Sequence, residues 1–481
     1  MCRLPAASLI ICFWLAERSQ GNSSFQSSMA ELHARFAVGL YRTLAETENG
    51  SDLIVSPLSV SVSLGLLQLG AGGNTLAQLE GTLGYNVKGR FPSGILAFGD
   101  RGGGGVAEVF GGLQRRWYQV LVSALQSTSV SGAIIPASTP AIISLTTPAA
   151  RPQGSRDVQV QDFLLHPPRD GGQGKGLQQT CTLFLQNGVQ LLMEFARQAT
   201  AWANASVIRA NFSQPKPSLE QTGSSRDELW HLQAGGSSGD LSGSGEAQVE
   251  APGWSHRQQM ALVNTVAFRG VWQKQFQFAN TQNLPFTRSD GSSIKVPMMY
   301  QATEVSFGQF RTSADQRYTV LELPFLGRTL SLQVVLPSER KTPLSSLESQ
   351  LTARQVASWD FGLRRTKMDI FLPRFKIQNK FNLRSVLPAI GITDAFNPTT
   401  ADFSGISAEE RLYVSDAFHE VRIEVTEDGT KAAAATSMVL LKRSRAPVFK
   451  ADRPFLFLLR QTSTGSILFM GRVTNPGDQG A

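Results

Sequence analysis

The apolar residues Phe25, Met29, Leu32, Phe36 and Leu40 recur at intervals of three and four, which predicts a helix over 25–47. Glu48-Asn49-Gly50-Ser51 ends it in a turn, and residues 52–55 form a short extended entry. Ser56 stands before Pro57 as an N-cap before a first helical residue, and the nearly continuous apolar run to Leu69 predicts a buried helix. Gly70-Ala71-Gly72-Gly73 stops that helix, and Asn74 is expected to cap a shorter one reaching Leu83. Further on, 180–186 reads as a strand and 189–202 as a helix. From 260 the pattern is mostly of strands: 261–268, 318–323, 331–336, 369–375 and 417–425, with helices near 344–358 and 380–390. Helices first and strands later, with interleaving, predict an α+β fold in which helices pack on large mixed or antiparallel sheets.

Two stretches break this regularity. Between 88 and 157 no period is sustained and the run Arg101-Gly102-Gly103-Gly104-Gly105 stands out, so the segment reads as a low-complexity insert or as non-native gene-model sequence. Residues 213–255 are Gly/Ser-rich and read as a flexible loop. The remainder, 21–481, is expected to form a single domain. Residues 1–20 carry Arg3 and then an apolar run to Ala16, the pattern of a secretory signal peptide, against the alternative of a buried first helix. Four N-x-[ST] sequons at Asn22, Asn49, Asn204 and Asn211 agree with secretion to the extracellular space as a glycoprotein, and no other apolar run suggests a membrane span.

Composition narrows the picture further. With 41% hydrophobic residues over 481 positions the chain has ample material for a core, and 44 glycines, about 9%, agree with irregular stretches between ordered parts. Cys2 and Cys12 lie within the signal segment, leaving Cys181 alone, so no intrachain disulfide is available and Cys181 reads as an inert buried thiol. The net charge of +8 makes a glycosaminoglycan a candidate partner and, given the secretion signal, argues against nucleic acid. Seven Lys/Arg against three Asp/Glu in 88–157 place half of that excess in the irregular segment.

Enzyme chemistry finds little support. The five histidines are scattered, with neither H-E-x-x-H nor paired cysteines for a metal, and there is no G-x-S-x-G elbow and no phosphate loop. No cofactor is implied.

The informative stretch is 415–476. A strand, Val421-Arg422-Ile423-Glu424-Val425, runs on into Glu427-Asp428-Gly429-Thr430-Lys431-Ala432-Ala433-Ala434-Ala435-Thr436-Ser437, then Met438-Val439-Leu440-Leu441 and Lys442-Arg443-Ser444-Arg445. Phe449-Lys450-Ala451-Asp452-Arg453-Pro454-Phe455 and Gly471-Arg472-Val473-Thr474-Asn475-Pro476 follow. With Ser56-Pro57-Leu58-Ser59, Asn264, Phe268 to Trp272, Val296-Pro297-Met298-Met299 and Phe371-Leu372-Pro373-Arg374-Phe375, these motifs resemble the serpins, the serine-protease-inhibitor superfamily, and the loop composition resembles its plasminogen-activator-inhibitor clade. The resemblance covers 25–87, 180–212 and 258–476.

It implies an exposed reactive-centre loop with a hinge at Glu427, Asp428, Gly429, Thr430, Ala432, Ala433, Ala434 and Ala435. Gly429 to Arg443 is fifteen residues and Arg443 to Pro454 eleven steps, which matches the family spacing and puts the reactive bond at Arg443-Ser444, the bait for a trypsin-like serine protease. Lys442 and Arg445 leave the register open by one or two residues, and a solvated basic loop or a dibasic processing site is the plain alternative. Insertion of the cleaved loop imposes a period of two, so Thr430, Ala432, Ala434, Thr436, Met438 and Leu440 would share one small or apolar face; an Ala-rich helix capped by Thr430 is an alternative for the resting loop. Ser56, Ser59, Asn264 and His419 resemble the polar cluster where the sheet opens, and Trp272 the aromatic near the loop's entry point. The sheet-covering helix the family carries is replaced here by 213–255, and the helix expected after Tyr85 is interrupted by 88–157. Hence two functions are carried forward. One is a secreted, monomeric inhibitor that traps its protease as an acyl-enzyme, and the other is a non-inhibitory serpin that binds or carries a ligand or serves as a mere protease substrate.

Overall fold

Ser56 starts the central helix as its N-cap, extended at φ −108° and ψ 92°, with its hydroxyl accepting from the Ser59 N–H, and Pro57 follows in the first turn. A computed structural model describes residues 30–48, 50–84, 176–203, 205–210, 212, 258–409, 411–427 and 446–477. The expected signal segment 1–20, the four sequon asparagines, the segments 88–157 and 213–255, and the expected loop residues Asp428, Gly429, Thr430, Ala432, Ala433, Ala434, Ala435, Arg443 and Ser444 lie outside the described residues.

The helices are α1 (30–47), α2 (Pro57–Gly70), α3 (Gly73–Leu83), α4 (Met193–Ala203), α5 (Leu344–Gln350) and α6 (Ala353–Gly362). The strands are β1 (Leu53–Val55), β2 (Gly176–Gln186), β3 (Ser206–Ala210), β4 (Gln258–Arg269), β5 (Gln282–Thr287), β6 (Ser293–Arg311), β7 (Arg317–Pro324) and β8 (Leu330–Pro337). They continue with β9 (Arg364–Pro373), β10 (Phe375–Asn382), β11 (Leu412–Val425), β12 (Val448–Lys450), β13 (Phe455–Gln461) and β14 (Ile467–Val473).

Among the described residues these strands make two sheets. The smaller has the order β10-β11-β4-β2-β3, with β11 and β4 running parallel; the larger has the order β1-β14-β13-β8-β7-β6-β9-β12, with β5 attached to β6. This is the α+β arrangement of helices on large mixed sheets expected from the pattern. Between the sheets, Phe375 at the start of β10 meets Phe455 and Phe457 of β13 at ring-centroid distances of 6.0 and 5.3 Å. Every residue of α2 is buried, as its unbroken apolar run requires.

Local corrections follow from side-chain chemistry. Asn74 does not cap α3: the N-cap is Gly72, and Asn74 inside the helix donates to Asp394 at 2.7 Å. The helix expected near 344–358 is two helices, because the chain turns extended at Leu351 and restarts at a capping box between Thr352 and Gln355. Over 380–390 there is no α-helix; β10 extends to Asn382 and two short 3₁₀ turns follow, with Pro388 in the second.

No helix among the described residues is long and apolar enough to cross a membrane. One glycine tests the packing of β14 directly. A methyl group at Gly471 would collide with the Leu53 carbonyl oxygen of β1 and with the Phe457 ring, and backbone cannot step aside. Gly471→Ala is therefore expected to cost about 2 kcal/mol, the ordinary cost of overpacking, read as a lowered thermal unfolding midpoint.

Candidate functional site

Ser56 at the N-cap of α2 and Ser59 and Ser63 within it are three and four positions apart and share one helix face. That face lies under the seam where β4 and β11 pair in parallel, and there Asn264 and His419 stand opposite each other in register. Both strands alternate, so Asn264 and His419 point inward with Leu262, Val266, Val421 and Ile423.

The groups form a closed network. Ser56 donates its N–H to His419 Nε2 at 3.1 Å and its hydroxyl to the Leu468 carbonyl at 2.6 Å. Ser59 Oγ donates to Asn264 Oδ1 at 2.6 Å, and Asn264 Nδ2 donates to the Ser59 carbonyl and to Ser63 Oγ at 3.2 and 2.5 Å. Because His419 Nε2 accepts from a backbone N–H, the ring's single proton is on Nδ1, which lies 3.2 Å from Asn264 Oδ1 and donates to it across the seam. Burial lowers the His419 pKa to about 3, only partly offset by the hydrogen bond at Asn264. The imidazole is neutral, and protonation would turn its one acceptor into a donor facing another donor. Cys181 borders the network, with Sγ 3.4 Å from Ser63 Oγ, and burial raises its pKa to about 11, so it is an inert thiol.

A second group lies beyond the C-terminal ends of both strands. Trp272, almost fully buried, stacks on Phe325 at 4.3 Å, meets Phe276 edge-on at 5.7 Å, and donates its indole N–H to the Thr426 carbonyl at 2.8 Å. The next residue, Glu427, is the last described before 428–445. Arg374, between β9 and β10, binds its carboxylate through two nitrogens at 2.5 and 3.1 Å; Thr281 Oγ1 donates at 2.7 Å, and the Phe276 N–H donates to the Glu427 carbonyl at 3.2 Å. Burial pushes the Glu427 carboxyl up, but the Arg374 and Thr281 hydrogen bonds prevail and hold it below the usual carboxylate range. The residues just past β11 are thus held at a fixed point.

Of the residues singled out in the sequence, the structure joins Ser56, Ser59, Asn264 and His419 in one network and places Trp272 and Glu427 together at the end of the seam. Ser63, Thr281 and the role of Arg374 were missed. Only Ser63 had a signal, a third serine at helical spacing in an apolar helix.

The chain matches the family described as Serpin (serine protease inhibitor) over residues 31–133 and 246–476. It is 50% identical to probable serpin E3 of Danio rerio, with 99% of this chain and 100% of the relative covered. It is 28% identical to plasminogen activator inhibitor 1 of Bos taurus, covering 95% of each. Among solved structures, native protease nexin-1 with heparin superimposes with a TM-score of 0.65 at 24% identity, covering 94% of this chain and all of that one, a likeness of fold.

The buried histidines set a pH dependence. Burial also lowers His33 to about 4, against a hydrogen bond to the Ile467 carbonyl at 3.1 Å. Both folded values lie below the unfolded value near 6.5, so below that pH the unfolded state binds more protons. Stability is fully present above pH 6.5 and is expected to fall by about 1.4 kcal/mol per pH unit per histidine as pH drops toward 4. Thermal midpoints between pH 7 and 4 check this, and His419→Gln should flatten the slope.

Proposed function

The chain belongs to the serpin family, and from that premise we propose that it is a secreted, monomeric, non-enzymatic inhibitor of trypsin-like serine proteases. The protease cleaves after Arg443, before Ser444, and residues from Gly429 onward enter the small sheet between β4 and β11 while the acyl-enzyme is still attached.

The observation that carries this reading is the parallel pairing of β4 with β11 directly above the Ser56–Ser59–Asn264–His419 network. A strand that leaves the end of β11, turns and runs back between the two would be antiparallel to both. One parallel ladder would be exchanged for two antiparallel ones, each slightly more stable per residue. The lengths agree: β4 has twelve residues and β11 fourteen, and the twelve residues from Thr430 to Leu441 can span them. Their inward face would be Thr430, Ala432, Ala434, Thr436, Met438 and Leu440, which brings no charge into the core.

Entry has a defined barrier. The strand must part the His419–Asn264 bond and the seam-spanning contacts of Ser415 Oγ with the Met260 carbonyl (3.2 Å) and of Arg269 with Glu424 (3.9 Å). Glu427, held by Arg374, marks where the turn begins. Arg443 is the specificity residue, since a guanidinium is read by a carboxylate at the base of a trypsin-like pocket. A glycosaminoglycan is the accessory partner this reading adds, supported by the net charge and by the heparin named with nexin-1.

The expected result on mixing the full chain with trypsin-like proteases is a denaturant-resistant band at the summed mass. Arg443→Ala should abolish it, and Thr430→Arg should yield cleaved protein without it, because a charge entering the core costs several kcal/mol. A fragment beginning at Ser444 with no complex from the unmodified chain would instead favour the substrate or carrier reading.

A further inference from the structure

Away from the seam, the larger sheet ends in the strands β6, β9 and β12, and their side chains divide between core and solvent. Ile370, Leu372 and Phe449 point inward and are buried. The opposite side carries Tyr300 against Phe371, cross-strand partners with ring centroids 4.9 Å apart, and beside them Val448, 59% exposed. Aromatic and aliphatic groups thus adjoin on a face open to solvent. Lys274 and Lys367, both exposed, flank it. Lys274 Nζ donates to the Ala302 carbonyl of β6 at 2.6 Å, and Lys367 stands opposite Glu304, whose carboxylate lies 3.8 Å from Arg365. Neither lysine is in an ion pair among the described residues.

Position identifies what this face would meet. The Pro447 carbonyl accepts from the Asp369 N–H at 3.0 Å, which fastens the chain to β9 just before β12. Ser444 is three residues earlier, so the Arg443-Ser444 bond stays within about 11 Å of that anchor. From β12 across β9 to β6 is only about 10 Å, whereas a protease domain of roughly 200 residues has a radius of gyration of about 16 Å. A protease that closes its cleft on the bond therefore brings its rim over these strands. We propose that the face of Tyr300, Phe371 and Val448, flanked by Lys274 and Lys367, is a second contact surface for the protease and selects one whose rim is acidic. This rests on the protease-directed reading above and deepens it: Arg443 fills the specificity pocket, and the face decides which of several arginine-cleaving enzymes reacts fast. A stacked tyrosine offers rigid contact area at small conformational cost. The unpaired lysines steer an acidic partner, and Lys442 and Arg445 beside the bond carry the same sign.

The test measures second-order rate constants for release of the fragment beginning at Ser444 when the full chain reacts with anionic and with cationic trypsin, enzymes of one specificity and opposite net charge. A synthetic peptide of residues 437–448 carries the bond without the face, and its ratio of rates sets the reference. At low salt the full chain is expected to exceed the peptide's preference for anionic trypsin about tenfold, and the excess should fade as salt is raised. Lys274→Glu and Lys367→Glu should each reduce that excess, while Arg209→Glu, the same charge change at an exposed position of β3 in the other sheet, should leave it unchanged. Tyr300→Ala should slow both enzymes about tenfold at every salt concentration, and Tyr300→Phe should not. The fragment is released whether the protease is trapped or goes free, so release without a trapped complex refutes inhibition while the rates still judge the surface. A full-chain ratio equal to the peptide's, equal rates for the Lys274→Glu and Arg209→Glu proteins, or no release of the fragment by either enzyme overturns the surface.

Discussion

A hydrogen bond from His419 Nδ1 to Asn264 Oδ1 crosses the seam between two parallel strands, and α2 completes both partners from below. Without α2 the two side chains would be buried polar groups with half their bonds missing, at about 1–3 kcal/mol for each orphaned atom. With it they are fully engaged, and the sheet is held shut by groups that are satisfied only while it stays shut. A parallel pair is the weaker kind of ladder, so the polar network carries closure that backbone pairing alone supplies less well.

At the far end of the same seam the chemistry is different. Trp272, Phe325 and Phe276 make an aromatic plug, and Arg374 clamps Glu427 where β11 gives way to the loop. An apolar stack resists sliding but has no directional bond to lose, whereas the clamp fixes one residue in space. Together they hold Thr426 and Glu427, just past the end of β11, in one place against the sheet.

The outer sheet shows how far the chain must travel to complete this arrangement. β1 pairs with β14, His33 bonds to the Ile467 carbonyl, and Arg472 reaches both the Ser51 carbonyl and Glu348. These contacts join residues more than a hundred, in several cases more than four hundred, positions apart. Long loop closures are slow and compensate their entropy late.

Periodicity alone located α2, most of the strands and the α+β class, because burial repeats every 3.6 or two residues whatever the partner is. The N-cap at Ser56 was legible for the same local reason, and the family resemblance, not any local pattern, singled out Asn264, Trp272, His419 and Glu427. Asn74 and the 380–390 segment were misread because propensity cannot see Asp394 drawing Asn74 away, or β11 extending β10 to Asn382. Ser63 was half visible as a serine on the helix face. Thr281 and the clamp of Arg374 on Glu427 were not, since nothing local to either residue encodes a partner 146 or 53 positions away. The residue types and their periods came from the sequence; which side chains meet and which histidine nitrogen holds the proton were decided only by the tertiary structure, because hydrogen bonds depend on distance in space rather than along the chain.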